Sequence, residues 1–232
     1  MNIQFIYDLI SYMALAIAYI ISTTLAGYFQ AYVAKKLGDP APEQLGFLSL
    51  NPAAHIDPIG ALCLFMIGIG WGKFMPINSI LLYNAWHLTA FLLSSSLMYL
   101  LIGLIALLML LLLCGSTVVQ LVAVMVSVDF TSLAAFTKNY PNSSSLTLTV
   151  AFILFMFVYV GVVFAALTII ANGLRGTVAY LIHRSGMYIN EVALFLISAI
   201  VMILLARPLR IMFMAFITCI AQLLAPLLGT YV

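Results

Sequence analysis

Three long, predominantly apolar runs, from about Ile3 to Phe29, Leu88 to Leu113 and Leu146 to Ala171, limit what this chain can become more than any other feature. Each exceeds the ~20 residues that carry a helix across a hydrocarbon core. Inside lipid, a helix satisfies its own backbone polar groups without help from water. With 66% of residues hydrophobic and only 6% charged, too little polar surface remains to hydrate a soluble domain. The expected fold is an all-α, polytopic integral membrane protein, a single membrane domain over residues 1–232. A formal charge of +2, dispersed along the chain, excludes a nucleic-acid footprint. The lipid bilayer is the first expected partner.

Between the spans the punctuation is specific. The first helix should run from Ile3 to Lys36 and stop at Gly38-Asp39-Pro40, where glycine can cap and proline cannot continue. Residues 39–58 hold Pro40, Pro42, Pro52 and Pro58 with Asp39, Glu43 and Asp57, and read as a structured loop. The apolar run Ile59 to Gly70 reaches only ~18 Å at ~1.5 Å per residue, so a re-entrant or partial helix is expected. Asp57, directly before Pro58, suits an N-terminal cap for it.

Further along, Val118 to Phe136 is interrupted by Asp129 and reads as a span or an interfacial helix. Asn172-Gly-Leu-Arg-Gly176 should end the third span, followed by a short amphipathic piece to Arg184. Glu191 to Ala206 and Ile211 to Leu228 resemble a helical hairpin about Arg207-Pro-Leu-Arg210. The sum is about four full spans, a re-entrant element and short partial helices. Lys35, Lys36 and Lys73 favour a cytoplasmic face, which places the amino terminus on the non-cytoplasmic side and makes the interfacial reading of Val118 to Phe136 self-consistent. Cys63, Cys114 and Cys219 form no C-x-x-C pair and are expected to be buried small hydrophobes. The serine cluster Ser94 to Ser96 is placed to pack helices closely or to bond across them. Asp129 and Glu191 are acidic groups near membrane depth, functional candidates unless they mark helix ends. Asn142-Ser-Ser144 matches a glycosylation acceptor, a pattern short enough to be common.

Three segments stand out in order: Ala31-Tyr-Val-Ala-Lys-Lys-Leu-Gly-Asp-Pro40, then Leu48-Ser-Leu-Asn-Pro-Ala-Ala-His-Ile-Asp-Pro-Ile-Gly60, then Gly70-Trp-Gly-Lys-Phe-Met-Pro-Ile-Asn78. Together they resemble the site-2 protease family of intramembrane zinc peptidases, most strongly over residues 27–78. The resemblance implies a site-2-protease-like helical bundle in which Asn51, Pro52, His55, Asp57, Pro58, Gly60, Trp71, Lys73, Pro76 and Asn78 belong to structural family loops. Phe74 departs from the family's proline.

Such peptidases need two histidines one helical turn apart and a glutamate base, because these share one helix face around a single ion. Counted back from Leu37-Gly38-Asp39-Pro40, the family's H-E-x-x-H falls on Ala26, Gly27 and Gln30. Alanine and glycine offer no side-chain donor, and a neutral amide is a poor zinc ligand. The family's third ligand, an aspartate in P-P-L-D-G, falls on Arg175 when Asn172-Gly-Leu-Arg-Gly176 is aligned to it. His55, His87 and His183 lie on separate segments with no paired spacing. No metal site, cofactor, nucleotide fingerprint or Ser/His/Asp arrangement is expected. The leading expectation is a catalytically inactive relative, a binding or structural subunit among other membrane proteins. An active intramembrane zinc metalloprotease with atypical ligands, and a transporter or channel component, are the alternatives.

Overall fold

A computed structural model describes residues 3–78, 81, 84–114, 145–185 and 196–205, with helical positions at 208, 211, 212, 215 and 219. The chain is an all-α, multi-pass membrane protein. In chain order the elements are α1 (Ile3–Lys36), α2 (Ala41–Gln44), α3 (Pro52–His55), α4 (Pro58–Ile67), α5 (Ala85–Cys114) and α6 (Ser145–Ser185), then α7 (Leu196–Leu205). Among the described residues three helices, α1, α5 and α6, are long and apolar enough to cross a membrane. Val118 to Phe136 with Asp129, Asn142 to Ser144, Glu191, and the tip residues Arg207 and Arg210 lie outside the described residues.

α6 is the central post. Sixty-seven per cent of its most apolar window is enclosed, against 28% for α5, whose outward leucines therefore meet lipid. The two helices cross at Gly103 and Gly161, where a Cβ on Gly161 would come within 2.5 Å of the Gly103 Cα and 2.8 Å of the Tyr99 carbonyl. Only glycine permits that approach, the small-residue device that membrane helices use when lipid removes any hydrophobic drive to associate. The main core joins Ala14, Ala18 and Tyr19 of α1, Leu64 of α4, Tyr99 of α5 and Phe152, Tyr159 and Phe164 of α6. A second cluster packs Ala31, Ala34, Phe47, Met75 and Phe91 beneath the loops.

α1 ends as its sequence requires, with Gly38 at φ 91° and the Asp39 N–H bonded to the Ala34 carbonyl. α4 is short, as its length demands. The Asp57 carboxylate accepts from the N–H groups of Ile59 (2.8 Å) and Gly60 (3.0 Å), and Gly68 closes the helix in the left-handed conformation at φ 77°. Tyr159 of α6 donates to the Gly68 carbonyl at 2.9 Å, which pins that end to the central post. Ile59, Leu62, Phe65 and Met66 stay exposed on the other side, a face suited to one leaflet of a bilayer.

Two expectations are corrected. α6 does not break at Asn172-Gly-Leu-Arg-Gly176 but runs unbroken to Ser185. Its polar side chains find partners on neighbouring segments, and Gly176 faces Leu92 so closely that an added Cβ would overlap the leucine. Close packing on α5 outweighs the ~1 kcal/mol that a glycine costs a helix interior. The cysteines are not uniformly buried either: Cys63 is partly exposed and Cys219 exposed. A thiol that behaves as a small hydrophobe is as compatible with lipid as with a protein core.

Candidate functional site

The two loops flanking α4 are clamped to each other and to α1. Asn51 caps α3 by accepting from the Ala53 N–H at 3.1 Å, with Pro52 in the first turn. The Lys73 N–H donates to the His55 carbonyl at 2.7 Å, and Ile56 pairs with Gly72 in an antiparallel bridge. Gly60 lies against the backbone of Trp71, whose carbonyl a Cβ at position 60 would overlap. That same carbonyl accepts from Tyr19 of α1 at 2.8 Å. Asp39, fully buried, accepts from the Ala41 N–H and from the Asn78 side-chain amide, both at 3.0 Å. Pro76, partly buried, lies between Met75 and Asn78 on this segment. Lys73 is exposed and its ammonium sits 5.9 Å from the Phe47 ring.

Under this clamp lies a half-open cavity of about 30 Å³, lined by residues of α1, α3, the segment after α4, α5 and α6. Ala26, Gly27 and Gln30 all line it, together with His55, Trp71, Lys73 and Asn172. Three of the four positions implied by the resemblance, all within about one turn of α1, thus line the cavity, and they carry no ligand set. Arg175 is not among the lining residues. It stands about one turn beyond Asn172, donating to the Met75 carbonyl at 2.7 Å with its guanidinium 4.6 Å from the Phe74 ring. The phenylalanine that departs from the family pattern is thus the ring on which this arginine stacks.

The polar groups at the cavity wall tie helices together. Gln30 donates its side-chain amide to the Phe91 carbonyl of α5 at 3.2 Å. Asn172 of α6 donates to the Leu92 carbonyl at 2.9 Å and to Ser95 Oγ at 3.2 Å. Ser96 bonds Thr168 at 2.8 Å, and Tyr99 donates to Thr23 of α1 at 3.2 Å. The serine cluster thus bonds across helices through Ser95 and Ser96, while Ser94 bonds the Phe91 carbonyl of its own helix. Sequence reasoning missed Asn172, Thr168, Tyr99 and Thr23. Their signal was present as polar residues one turn apart in apolar helices, Thr168 with Asn172 and Ser95 with Tyr99.

His55 has the most constrained chemistry. Its Nε2 lies 2.7 Å from the Ser49 carbonyl, and since a carbonyl only accepts, Nε2 carries the proton and Nδ1 presents a lone pair in the neutral ring. Burial holds the imidazole below its ordinary pKa, an effect the bond to Ser49 partly opposes. Nδ1 is buried and makes no hydrogen bond to the protein. It faces the bare backbone of Gly27, where an added Cβ would overlap it.

These residues do not fit a zinc ion. Ala26 and Gly27 supply no donor, Gln30 offers only a neutral amide oxygen, a poor zinc ligand, while its nitrogen donates to a carbonyl, and His55 is the one imidazole at the wall. No group of three or more His, Cys, Asp or Glu side chains that could hold a metal exists among the described residues.

Over 76 residues, 32% of its length, the chain is 40% identical to the Bacillus subtilis (strain 168) protein named "Putative zinc metalloprotease YwhC". The match spans only 35% of that relative. No family model matches the chain, and no solved structure matches it. The partial similarity agrees with the resemblance drawn from the loop motifs: over about a third of its chain this membrane protein is similar to a protein that carries a zinc-metalloprotease name.

Proposed function

We propose that the chain is a catalytically inactive, site-2-protease-like membrane protein, a single membrane unit that serves as a binding or structural subunit of a membrane complex. One observation carries the reading. At the positions where a peptidase would grip its ion, Gln30 offers a neutral amide whose nitrogen donates to the Phe91 carbonyl, and His55 fills the space beside Gly27. Cross-helix hydrogen bonds stand where metal–ligand bonds would. Asn172 and Gly173 extend this argument. If the family's Asp-Gly pair is set on them in place of Arg175 and Gly176, the third ligand position becomes a neutral amide that lines the cavity and bonds α5. All the positions then fall in one place, and none supplies a carboxylate or imidazole.

The retained loops support a preserved scaffold, and the exposed apolar faces of α4 and α5 offer area for lipid or other membrane subunits. The basic end of α1 at Lys35 and Lys36 supports an amino terminus on the non-cytoplasmic side. An active metalloprotease is favoured by the name of the Bacillus relative alone.

Metal analysis of the purified full-length protein, paired with a cleavage assay on a transmembrane substrate, tests the proposal. No stoichiometric zinc and no cleavage are expected. Stoichiometric zinc that a chelator removes together with cleavage overturns it. Co-purification in mild detergent is expected to yield a defined membrane partner.

A further inference from the structure

The Lys and Arg side chains among the described residues gather at one end of the bundle. α1 and α6 run in the same direction: Tyr19 packs edge-on against Phe164, and farther along each helix Gln30 and Asn172 reach adjacent carbonyls of α5, those of Phe91 and Leu92. The carboxyl ends of α1 and α6 therefore share an end with the amino end of α5. Lys35 and Lys36 close α1, Arg184 closes α6, and Lys73 lines the half-open cavity beside Gln30 and Asn172. The opposite ends of α1, α5 and α6 carry Asp8 and no Lys or Arg among the described residues.

Three carboxylates share the basic end, and each is already engaged. Glu43 pairs with Lys35 at 2.6 Å, Asp39 is fully buried against the Ala41 N–H and the Asn78 amide, and Asp57 caps α4. Lys36, Lys73 and Arg184 are exposed and form no ion pair among the described residues. Lys36 and Lys73 have only the rings of Tyr32 and Phe47 beneath them. Three positive charges thus remain uncompensated at one end.

Depth identifies the anion that suits them. Trp86, 79% exposed, precedes Phe91 by a rise of about 8 Å, and Lys36 follows Gln30 by about 9 Å, so the two stand at similar heights. Lys73 sits over Phe47, which clusters with Ala31 and Ala34 near the same end of α1. Exposed tryptophan level with lysine is the pattern of a membrane–water interface. On the lipid side of Trp86, Leu93, Leu97 and Leu104 return to its face of α5 and are all exposed. A phospholipid meets complementary surface twice, its phosphate at the cations and its chains along these leucines. A free anion would use the cations alone.

We propose that this end of the bundle is a docking collar for anionic phospholipids of the adjoining leaflet, with Lys36 and Lys73 supplying the inner charge and Arg184 the outer. The collar goes beyond the non-catalytic reading and does not rest on it.

Native mass spectrometry tests the collar on the full-length protein, delipidated in mild detergent and offered equal amounts of phosphatidylglycerol and phosphatidylcholine with the same acyl chains. Each basic residue near an anionic surface strengthens binding roughly fivefold, so phosphatidylglycerol is expected to be retained over phosphatidylcholine by at least that ratio. Equal retention overturns the collar and leaves its charges to an acidic protein segment. In Lys36→Gln/Lys73→Gln/Arg184→Gln the ratio is expected to fall toward one, and an unchanged ratio in a variant that melts like the natural protein overturns the assignment to these residues. The natural protein supplies a second measurement that needs no variant. Its preference should shrink as ionic strength rises, and indifference to salt overturns the electrostatic basis. Inorganic phosphate in excess should leave bound phosphatidylglycerol in place, whereas displacement would mean a simple anion site and overturn the lipid. None of these ratios depends on zinc, so their failure leaves the proposed function standing.

Discussion

The imidazole of His55 occupies the space that any side chain at Gly27 would enter: a Cβ there overlaps Nδ1 and lies 3.1 Å from Cγ and 3.2 Å from Cε1. The two residues are therefore a matched pair across α1 and α3. Gly27→Ala must displace the ring from its bond to the Ser49 carbonyl, and overpacking of this kind costs about 1–3 kcal/mol. A thermal melt in detergent should fall accordingly, and His55→Ala in the same chain should recover most of the loss. A melt indifferent to Gly27→Ala would contradict the pairing. The same reasoning applies to Ala26→His/Gly27→Glu/Gln30→His, a variant built to rebuild the peptidase motif. It should accumulate poorly until His55 is also reduced to alanine, which protein yield and metal content would reveal.

Acid should weaken the fold through His55. Its folded pKa is lowered by burial, so between that value and about 6.5 the unfolded chain binds a proton that the folded chain does not. Stability is then full above about pH 6.5 and declines as the pH falls toward the lowered value. Glutamine at position 55 keeps a donor for the Ser49 carbonyl and cannot titrate. Melts across this range should slope downward toward acid in the natural protein and more gently in His55→Gln; identical slopes would remove His55 from the account.

Gln30 and Asn172 should act as ties between helices. Gln30→Ala removes the bond from α1 to the Phe91 carbonyl, and Asn172→Ala removes two bonds from α6 to α5. Cross-helix hydrogen bonds in membrane proteins average about 0.6 kcal/mol and reach about 1.7. Unfolding measured in detergent should show losses in that range, larger for Asn172→Ala, with no change in metal content. A loss of bound zinc on Gln30→Ala would refute the tie and restore a ligand role.

Asp57→Ala should loosen the partial helix without disturbing the three spans. The carboxylate satisfies two otherwise free N–H groups of α4, and loss of such a cap costs ~0.5–2 kcal/mol. Hydrogen exchange should accelerate at residues 59–61 and stay unchanged within α5. Acceleration spread evenly over α5 and α6 would mean that Asp57 does more than cap.

Some of this architecture was legible because its causes are local. Asp57 before Pro58 announces a capped helix, Gly38-Asp39-Pro40 announces a stop, and the length of Ile59 to Gly70 forbids a full crossing. The continuation of α6 through Asn172 to Gly176 was not legible. Its two glycines and an asparagine look like a break until Leu92 and Ser95 of another helix are set beside them. The place of Arg175 depends equally on distant partners, the Met75 carbonyl and the Phe74 ring. His55 was readable as part of a family loop. That it would lie against Gly27 follows only once the chain has turned back on α1.

The unbroken α6 has one further consequence. Forty-one residues at ~1.5 Å each make a rod of roughly 60 Å, twice the ~30 Å hydrocarbon core, and a tilt of 40° still leaves it about 45 Å tall. One stretch of this rod must therefore stand among headgroups or in water. The polar end, with exposed Thr177, His183, Arg184 and Ser185, is the stretch chemically suited to do so. The helix whose most apolar window is the most enclosed of the three is therefore also too long for the bilayer alone, and its length requires a part of it to be solvated outside the hydrocarbon.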